Sequence, residues 1–432
     1  MNQKSFATHT LGCKLNFSET STIARQLQNL GFVKQDDNTN ASIHVINTCT
    51  VTKQAEKKAR QLITRLHRNN PNSKIIVTGC YAQLRPEELA SIDGVSWVIG
   101  NNEKFDVQEY LNPKKQDDIN NIKVSQYKDL IEYHPAYSLD DRTRTFLKIQ
   151  DGCDYFCSYC AIPLARGKSR SATIEEVVVE CKKIIDCGIR EIVLTGVNIG
   201  DFGNQGQSNL LTLLKELSQF KNVRFRISSI EPDLLSDEMI DYIANSKHIA
   251  PHLHIPFQHG TSELLQAMNR RYNTFLLSSR VSLIKQKIPF ASIGADMIVG
   301  FPGESENLFQ QSYSFLNSLD LSYLHVFPYS ERPKTKALLM DNKISESDKS
   351  TRVKLLLELS DQKKKSFFIK NDGRCEKVII EQKNKDGFYT GVTGNYIPII
   401  STIETLTVGT LLEGKLEYID GKDYMNFIIK NK

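Results

Sequence analysis

The stretch from Lys148 to Cys160, KIQDGCDYFCSYC, decides how this chain is interpreted. Cys153, Cys157 and Cys160 have the spacing C-x3-C-x2-C, which differs from the paired C-x-x-C couplets of zinc ribbons and redox dithiols. Three thiolates in one loop can hold three irons of a four-iron cluster, whereas a closed cluster needs four thiolates. No fourth cysteine lies nearby in the sequence. The spacing therefore predicts a cluster with one iron open to a substrate or cofactor.

The composition of the whole chain limits the class of protein. Its 432 residues predict roughly two or three domains of ordinary globular composition. The formal net charge of +5 is mild, so contact with nucleic acid must come from local patches. The N-terminal residues lack the apolar core of a signal peptide, and no apolar run could span a bilayer. We therefore expect a cytoplasmic protein without a membrane partner, whose clustered cysteines bind metal instead of forming disulfides.

A second set of cysteines follows the strand patterns of the N-terminal region. Strands are predicted at Lys4–Thr10, Ala41–Ile46 and Lys74–Thr78, with helices between them. They are followed in turn by Cys13, Cys49 and Cys80. In a parallel sheet the carboxyl ends of the strands share one edge, where ligands bind in open α/β folds. Gly12 and Gly79 would allow close approach of the backbone. Three cysteines in equivalent places predict a second metallocluster, although three unrelated buried thiols are the simpler alternative.

Residues from about 143 to 327 repeat strand and helix patterns. Six strands separated by helices predict a partial (β/α)6 barrel, with its site at the carboxyl ends of the strands. Polar segments follow several of these strands: Thr195-Gly196-Val197-Asn198, Ser228-Ser229-Ile230-Glu231 and Gln258-His259. Asp296 lies inside an apolar strand and needs a partner if it is buried. His259 is explained at least as well by a structural role. The basic stretch Arg166–Ser171 is either a solvated loop or an anion contact.

The C-terminal region has an all-β pattern. Five short predicted strands with turn signals between them indicate a small barrel, similar to the folds that bind oligonucleotides. Tyr389, Tyr396 and Phe388 are candidates for stacking on RNA bases, although a small barrel also needs aromatic side chains in its core. The fold class is thus α/β: an N-terminal parallel domain, a partial barrel and a C-terminal all-β barrel.

The cysteine loop on the first strand of a six-strand β/α barrel resembles that of radical S-adenosylmethionine (SAM) enzymes. The strand-end cysteines narrow the resemblance to the methylthiotransferases. The segments most similar to their MtaB branch are TLGCKLN (10–16), NTCTVT (47–52), GCYAQ (79–83), QDGC (150–153) and IPLARG (162–167). The resemblance covers essentially the whole chain. It implies an auxiliary-cluster domain at 1–112, a linker at 113–138, a radical SAM core at 139–367 and a TRAM RNA-binding domain at 370–432.

This resemblance also implies a reaction, which is the addition of a methylthio group to C2 of N6-threonylcarbamoyladenosine beside the anticodon. It implies two [4Fe-4S] clusters, on Cys153, Cys157 and Cys160 and on Cys13, Cys49 and Cys80, and two SAM molecules per turnover. The implied SAM contacts are Thr195, Gly196, Asn198, Ser229, Glu231 and Asp296. The implied partners are the tRNA anticodon stem-loop bearing that base, an electron donor such as flavodoxin or ferredoxin, and a sulfur source.

Three alternatives stay open. Related enzymes, MiaB-like and RimO-like, methylthiolate a prenylated adenosine in tRNA or an aspartate on a ribosomal protein. A different class of protein would be a zinc-stabilised RNA-binding module without catalysis. Zinc would need a fourth ligand for each cysteine trio, and the sequence offers none at a suitable spacing.

Overall fold

Contacts along the chain divide it into two units. The computed structural model describes residues 4–35, 41–111, 121–139, 143–203, 208–403 and 405–429. The first unit comprises Met1–Leu139, Phe146–Ser171 and Ser330–Leu338. The second comprises Asp140–Thr145, Ala172–Tyr329 and Leu339–Lys432. The cysteine loop therefore belongs to the same unit as the N-terminal region.

Short strands and helices alternate in the first part of the chain. The strands are β1 (Ser5–Thr10), β2 (Val33–Lys34), β3 (Ile43–Thr48), β4 (Lys74–Gly79), β5 (Val95–Ile99), β6 (Ile122–Lys123), β7 (Ala136–Tyr137), β8 (Arg144–Lys148), β9 (Gln150–Asp151) and β10 (Arg170–Ser171). The helices are α1 (Lys14–Asn29), α2 (Lys53–Asn69), α3 (Cys80–Leu84), α4 (Pro86–Ala90), α5 (Val107–Leu111) and α6 (Ile162–Arg166).

A six-stranded parallel sheet organises the N-terminal region, in the order β2-β1-β3-β4-β5-β6. The predicted parallel β-α-β-α-β arrangement is confirmed, and β5 and β6 extend it. Phe6 and Leu27 belong to one apolar core of this region, and Ile63 and Tyr81 belong to another. The strand β6 falls within the stretch 113–138 that was expected to link two domains. Residues 113–120 of that stretch lie outside the described residues.

The second unit continues with parallel strands and helices. The strands are β11 (Glu191–Thr195), β12 (Arg224–Ile227), β13 (His252–Gln258), β14 (Ser292–Val299) and β15 (Tyr323–Pro328). The helices are α7 (Ile174–Asp186), α8 (Leu210–Leu217), α9 (Asp237–Asn245), α10 (Ser262–Ala267), α11 (Thr274–Lys287), α12 (Glu306–Ser318) and α13 (Glu346–Lys370). Parallel pairing joins β11 to β12 and links β13, β14 and β15, while isolated parallel bridges connect β12 to β13. This alternation of parallel strands and helices confirms the prediction of a β/α barrel fold.

The 25-residue helix α13 was not predicted from the sequence. Its apolar residues do not form a single stripe, so the usual helical pattern is weak. The helix packs on β15, where the Ser360 hydroxyl accepts from the Leu324 amide at 2.9 Å and donates to the Leu324 carbonyl at 3.1 Å. Within the described residues, no helix combines the length and apolar composition that a membrane span requires.

A closed five-stranded barrel ends the chain, as predicted. Its strands are β16 (Cys375–Lys383), β17 (Tyr389–Thr393), β18 (Pro398–Ser401), β19 (Leu411–Glu417) and β20 (Met425–Ile429). They close in the order β16-β17-β18-β20-β19. Val378, Ile397, Leu416 and Phe427 fill the interior with almost no exposed surface. Burial of these side chains supplies the main stabilisation of so small a barrel.

A buried carboxylate joins the C-terminal barrel to the rest of the second unit. Glu191, at the start of β11, is fully buried and pairs with Arg224 and Arg226 of β12. The remaining guanidinium N–H groups reach the C-terminal barrel, where Arg224 donates to the Lys377 carbonyl at 2.7 Å and Arg226 to the Gly394 carbonyl at 2.8 Å. Burial by itself would raise the pKa of Glu191, but the two arginines outweigh it and lower the pKa to about 2.

We expect Glu191→Ala to lower the free energy of unfolding by about 3–5 kcal/mol, because it leaves two buried guanidinium groups without their carboxylate. Chemical denaturation measures this change. The control Glu238→Ala removes the exposed partner of Lys215 and should cost less than about 1 kcal/mol. Since the pKa of Glu191 is depressed in the folded state, its contribution is complete above about pH 4.5 and is lost towards pH 2. Equal losses in the two variants would contradict the assigned role.

Candidate metal centres and cofactor site

The strand-end cysteines come together at the carboxyl edge of the N-terminal sheet. The pairing of β1 with β3 and of β3 with β4 continues to the last residues of these strands, so their ends are level. Cys13 precedes α1, Cys49 follows β3 and Cys80 begins α3. Burial raises the pKa of Cys49 to about 12, and the neighbouring thiols of Cys80 and Cys13 add to the rise. The three thiols therefore lie within electrostatic reach of one another.

Two glycines allow the neighbouring backbone segments to lie this close together, as the sequence predicts. A Cβ on Gly12, which has φ +117°, would lie 2.8 Å from Cβ of Cys49 and 3.2 Å from its Sγ. A Cβ on Gly79, which has φ +95°, would collide with the backbone of Thr48. Only glycine adopts these backbone angles at low cost and leaves room for the neighbouring segment. The turns after β1 and β4 thus depend on residues without a side chain.

The cysteine loop lies in the same unit, and backbone hydrogen bonds hold its conformation. The Cys153 amide donates to the Gly167 carbonyl at 3.1 Å, and the Cys160 amide donates to the Cys157 carbonyl at 3.0 Å. The Ile162 amide, at the start of α6, donates to Sγ of Cys160 at 3.4 Å. An amide that donates to a cysteine sulfur stabilises the thiolate form that a metal requires. The loop is therefore suited to hold a metal centre.

Arg166 connects the cysteine loop to the strand-end cysteines. Its guanidinium, at the end of α6, donates to Glu19 at 2.9 Å, to Asp151 at 3.0 Å and to Oδ1 of Asn16 at 2.8 Å. The same Asn16 oxygen lies 3.8 Å from Sγ of Cys13. The basic stretch after the cysteine loop is thus partly buried, and the alternative of a fully solvated loop does not apply to Arg166.

Positive charge is in excess around this arginine. Lys104 pairs with Glu19 at 2.6 Å, Lys148 lies 3.6 Å from Glu19, and Arg170 lies 3.3 Å from Asp151. Together with Arg166, these cations outnumber the two carboxylates by two. Thiolate-ligated iron clusters are anionic, and buried positive charge nearby favours them. Glu19 and Lys104 could not be predicted as part of this site, because neither belongs to a recognisable sequence pattern.

A second arginine holds the segment that follows Cys49. Arg332 donates to the Thr50 carbonyl at 3.1 Å and to the Glu56 carboxylate at 2.6 Å, and all three residues belong to the first unit. The Thr50 hydroxyl also donates to Glu56 at 2.6 Å. The backbone beside Cys49 is therefore fixed by a buried ion pair. Nothing in the sequence indicated that Arg332 serves the N-terminal cysteines.

The cysteine trios can be compared with the ligand set that a single zinc ion needs. Sulfur ligands about 2.3 Å from a tetrahedral zinc lie about 3.8 Å from one another. Among the described residues, the group whose ligand atoms all lie within 4.8 Å of one another is His254, Asp296 and His325, and neither cysteine trio forms such a group. A four-iron cluster spreads its thiolates over separate irons. Each trio supplies the three thiolates of a cluster with one open iron, whereas a structural zinc site would need a fourth ligand.

The predicted SAM contacts of the second unit lie close together in two groups. Ser229 Oγ is 2.8 Å from Nδ1 of His254, whose Nε2 lies 3.3 Å from Asp296. Glu231 pairs with Arg270. Burial raises the pKa of Glu231 to about 7 despite that arginine, and nearby carboxylates, among them Asp296, add to the rise. A carboxyl group with this pKa can donate as well as accept a hydrogen bond near neutral pH.

The remaining predicted contacts lie at the end of β11 and just after it. Thr195 and Asn198 are buried, and Gly196 lies between them in the chain. Asn198 donates to Asp201 at 3.0 Å, and Asp201 is one of the carboxylates that raise the pKa of Glu231. The segment after β11 therefore lies near the groups that follow β12, as expected for neighbouring strands of a barrel.

Several polar side chains of the second unit have roles that the sequence left open. His259 contacts Thr261 at 2.9 Å and Glu304 at 3.0 Å, so its structural interpretation is confirmed. His254 and His325 were missed, although His252 and His254 alternate with apolar residues along β13 in the way that interior polar residues of a strand do.

The aromatic residues expected to contact RNA have different environments. Tyr389 is buried in the C-terminal barrel, and Tyr396 stacks on His252 with ring centroids 4.5 Å apart. Phe388 remains exposed. Of the three aromatic residues, Phe388 alone is thus available for stacking on a base.

Comparisons with known proteins agree with this geometry. Residues 5–100 match a family described as Uncharacterized protein family UPF0004, and residues 147–316 match the Radical SAM superfamily. The chain is 15% identical in sequence to a radical S-adenosylmethionine methyltransferase, TsrM, from Kitasatospora setae, whose structure has cobalamin and a [4Fe-4S] cluster bound. The match has a TM-score of 0.58 and covers 78% of this chain and 77% of that one, which shows a common fold.

Two curated relatives are similar over most of their length. The threonylcarbamoyladenosine tRNA methylthiotransferase MtaB of Bacillus subtilis is 38% identical over 95% of this chain and 93% of its own. The tRNA-2-methylthio-N(6)-dimethylallyladenosine synthase of Clostridium botulinum is 31% identical over 88% of this chain and 87% of its own. The chain therefore belongs to the radical SAM methylthiotransferase family, and it is an enzyme whose cofactors are SAM and [4Fe-4S] clusters.

Proposed function

We propose that this enzyme adds a methylthio group to C2 of N6-threonylcarbamoyladenosine next to the anticodon of tRNA. The observation that carries the proposal is the pair of cysteine trios in one unit, connected through Arg166 and Asn16. The relative named for threonylcarbamoyladenosine is more similar to the chain than the relative named for dimethylallyladenosine, which favours the first base. A tRNA substrate places the reaction in the cytoplasm.

The residues of the two trios have separate proposed roles. Cys153, Cys157 and Cys160 would hold the cluster that cleaves SAM, and Cys13, Cys49 and Cys80 would hold an auxiliary cluster. When bound, these clusters and two SAM molecules per turnover would supply the electron, the radical and the methylthio group. Thr195, Gly196, Asn198, Ser229, Glu231 and Asp296 are the proposed SAM contacts. An electron donor such as flavodoxin or ferredoxin and a sulfur source complete the proposal.

The proposed functional domains are residues 1–112, 139–367 and 370–432, with 113–138 between the first two. Glu231, with its pKa of about 7, could donate to or accept from a hydroxyl of the SAM ribose. The surplus cations around Arg166 would stabilise the anionic auxiliary cluster. The target base would leave its stack to reach a site of this kind, as it does in other enzymes that modify nucleobases.

A basic face on α2 supports a nucleic-acid substrate. Lys57, Lys58, Arg65 and Arg68 are exposed on this helix, which begins shortly after Cys49. The carboxylate of Glu56 is buried, and its partners include Arg332, so it does not neutralise this face. Phosphates of an RNA backbone are the complementary ligand for such a surface. We infer that α2 contacts the tRNA backbone near the auxiliary cysteines.

The assigned base can be tested in a strain that lacks the gene for this enzyme, complemented with the wild type, Cys157→Ala or Cys187→Ala. We expect mass spectrometry of tRNA nucleosides to detect methylthiolated threonylcarbamoyladenosine with the wild type and with Cys187→Ala, whose exposed cysteine lies outside both trios. Cys157→Ala should leave the precursor unmodified and abolish SAM cleavage in vitro, because one cluster ligand is lost. Methylthiolation of a prenylated adenosine in place of this base would overturn the assignment.

The second cluster can be tested by iron content after anaerobic reconstitution. A variant with Cys13, Cys49 and Cys80 changed to alanine should retain roughly half of the wild-type iron, because one of two clusters remains. The matched variant with Cys153, Cys157 and Cys160 changed to alanine should lose the other half. If either triple variant binds as much iron as the wild type, the account of two clusters fails.

The basic face can be tested by the salt dependence of tRNA binding. The triple variant Lys57→Ala, Lys58→Ala, Arg65→Ala should bind tRNA more weakly, and the slope of log affinity against log salt should fall by roughly one per lost phosphate contact. Alanine preserves the helix. The control variant Lys182→Ala, Lys221→Ala removes exposed lysines of the second unit and should leave the slope unchanged. An unaltered slope in the α2 variant would exclude this surface.

A further inference from the structure

Three potential metal ligands, none of which is a cysteine, converge inside the second unit. His254 of β13, Asp296 of β14 and His325 of β15 lie on consecutive strands of one sheet, and Asp296 is in register with His325. Nε2 of His254 is 3.2 Å from Nδ1 of His325 and 3.3 Å from Oδ1 of Asp296. Nδ1 of His325 is 3.4 Å from the same carboxylate oxygen. The three atoms form a nearly equilateral triangle.

Hydrogen bonds do not account for all three sides of this triangle. If both facing ring nitrogens carry a proton, each can donate to Asp296, and the two nitrogens are then left 3.2 Å apart without a hydrogen bond between them. If one of these nitrogens is deprotonated, the remaining proton serves one contact and leaves another without a hydrogen bond. No protonation state turns all three contacts into hydrogen bonds. A cation that accepts a lone pair from each atom accounts for all three.

The size of the triangle matches a tetrahedral metal site. Nitrogen and oxygen ligands lie about 2.0–2.1 Å from a bound zinc ion, which separates the ligands of a tetrahedral site by about 3.3–3.4 Å. The observed separations of 3.2, 3.3 and 3.4 Å agree with that value. Two histidines and one carboxylate are also a common ligand set for zinc and for other divalent transition metals.

The surroundings of the three residues suit a metal site as well. Ser229 Oγ lies 2.8 Å from Nδ1 of His254 and can accept a hydrogen bond from the Nδ1–H group, which leaves the lone pair on Nε2 for a metal. The side chain of His254 is 11% exposed, that of Asp296 25% and that of His325 53%. The side of the site formed by His254 is therefore nearly buried, whereas the side formed by His325 is open to solvent.

We propose that His254, Asp296 and His325 bind a divalent transition-metal ion of the Zn²⁺ class, with one coordination position open to an exogenous ligand. Three protein ligands with an open position are typical of reactive zinc sites, whereas structural sites use four. Its ligands are different residues from those of the two proposed iron–sulfur clusters. Asp296 would be a ligand of this metal and Ser229 would orient His254, so the metal would lie directly beside the proposed SAM contacts.

The proposal is tested with Zn²⁺ alone on the cluster-loaded enzyme, without tRNA or turnover. After dialysis against micromolar Zn²⁺, we expect about one zinc per chain, and X-ray absorption at the zinc edge should show nitrogen and oxygen ligands at about 2.0–2.1 Å without sulfur. His325→Ala and the isosteric Asp296→Asn should each weaken zinc binding at least about tenfold while iron content and circular dichroism stay unchanged.

The control variant is His9→Ala, because His9 and His44 form a second histidine pair, at 3.1 Å, which is not among the ligand groups found in the described residues. Its zinc content should equal that of the wild type. Zinc bound through sulfur, equal zinc in all variants, or no zinc in the wild type would each overturn the proposal. None of these results depends on the identity of the modified base, so failure of the metal site and failure of the proposed reaction are distinguishable.

Discussion

The buried guanidinium of Arg166 is the constraint on which the first unit depends. It hydrogen-bonds Glu19 and Asn16 of α1 and Asp151 of β9. A buried ion pair tolerates little displacement, because a charge that loses its partner away from water is strongly destabilised. The segment carrying the cysteine loop is therefore held against the helix that begins at the first strand-end cysteine. The fixed relation between the two trios follows from this contact.

The second unit uses buried polar groups in two ways. At the amino ends of its strands, Glu191 orients Arg224 and Arg226, which bind carbonyls of the C-terminal barrel. Farther inside, polar side chains contact one another: His252 lies between the ring of Tyr396 and the hydroxyl of Tyr323. Buried polar groups are stable only with partners, so such networks fix one arrangement of the strands. The first network stabilises the fold, and the polar interior supplies side chains that can bind a ligand.

The sequence predicted the regular elements better than the contacts between them. The strand-end positions of Cys13, Cys49 and Cys80 followed from the alternation of strand and helix, because parallel strands end at one edge. The helix α13 and the strands β5 and β6 were missed, because their patterns are weak or short. Glu19 and Arg332 could not be found, since an isolated charged residue is most often solvated and nothing local shows that it is buried.

By itself, the sequence determined which residues could bind metal and how they are spaced, because ligand chemistry and loop length are local properties. It thereby determined the family and the class of cofactor. Only the tertiary structure decided which distant groups meet: Glu19 and Arg166 are 147 residues apart, and His254 and His325 are 71 residues apart. Such contacts depend on how the strands and helices pack, and packing depends on many weak interactions along the whole chain.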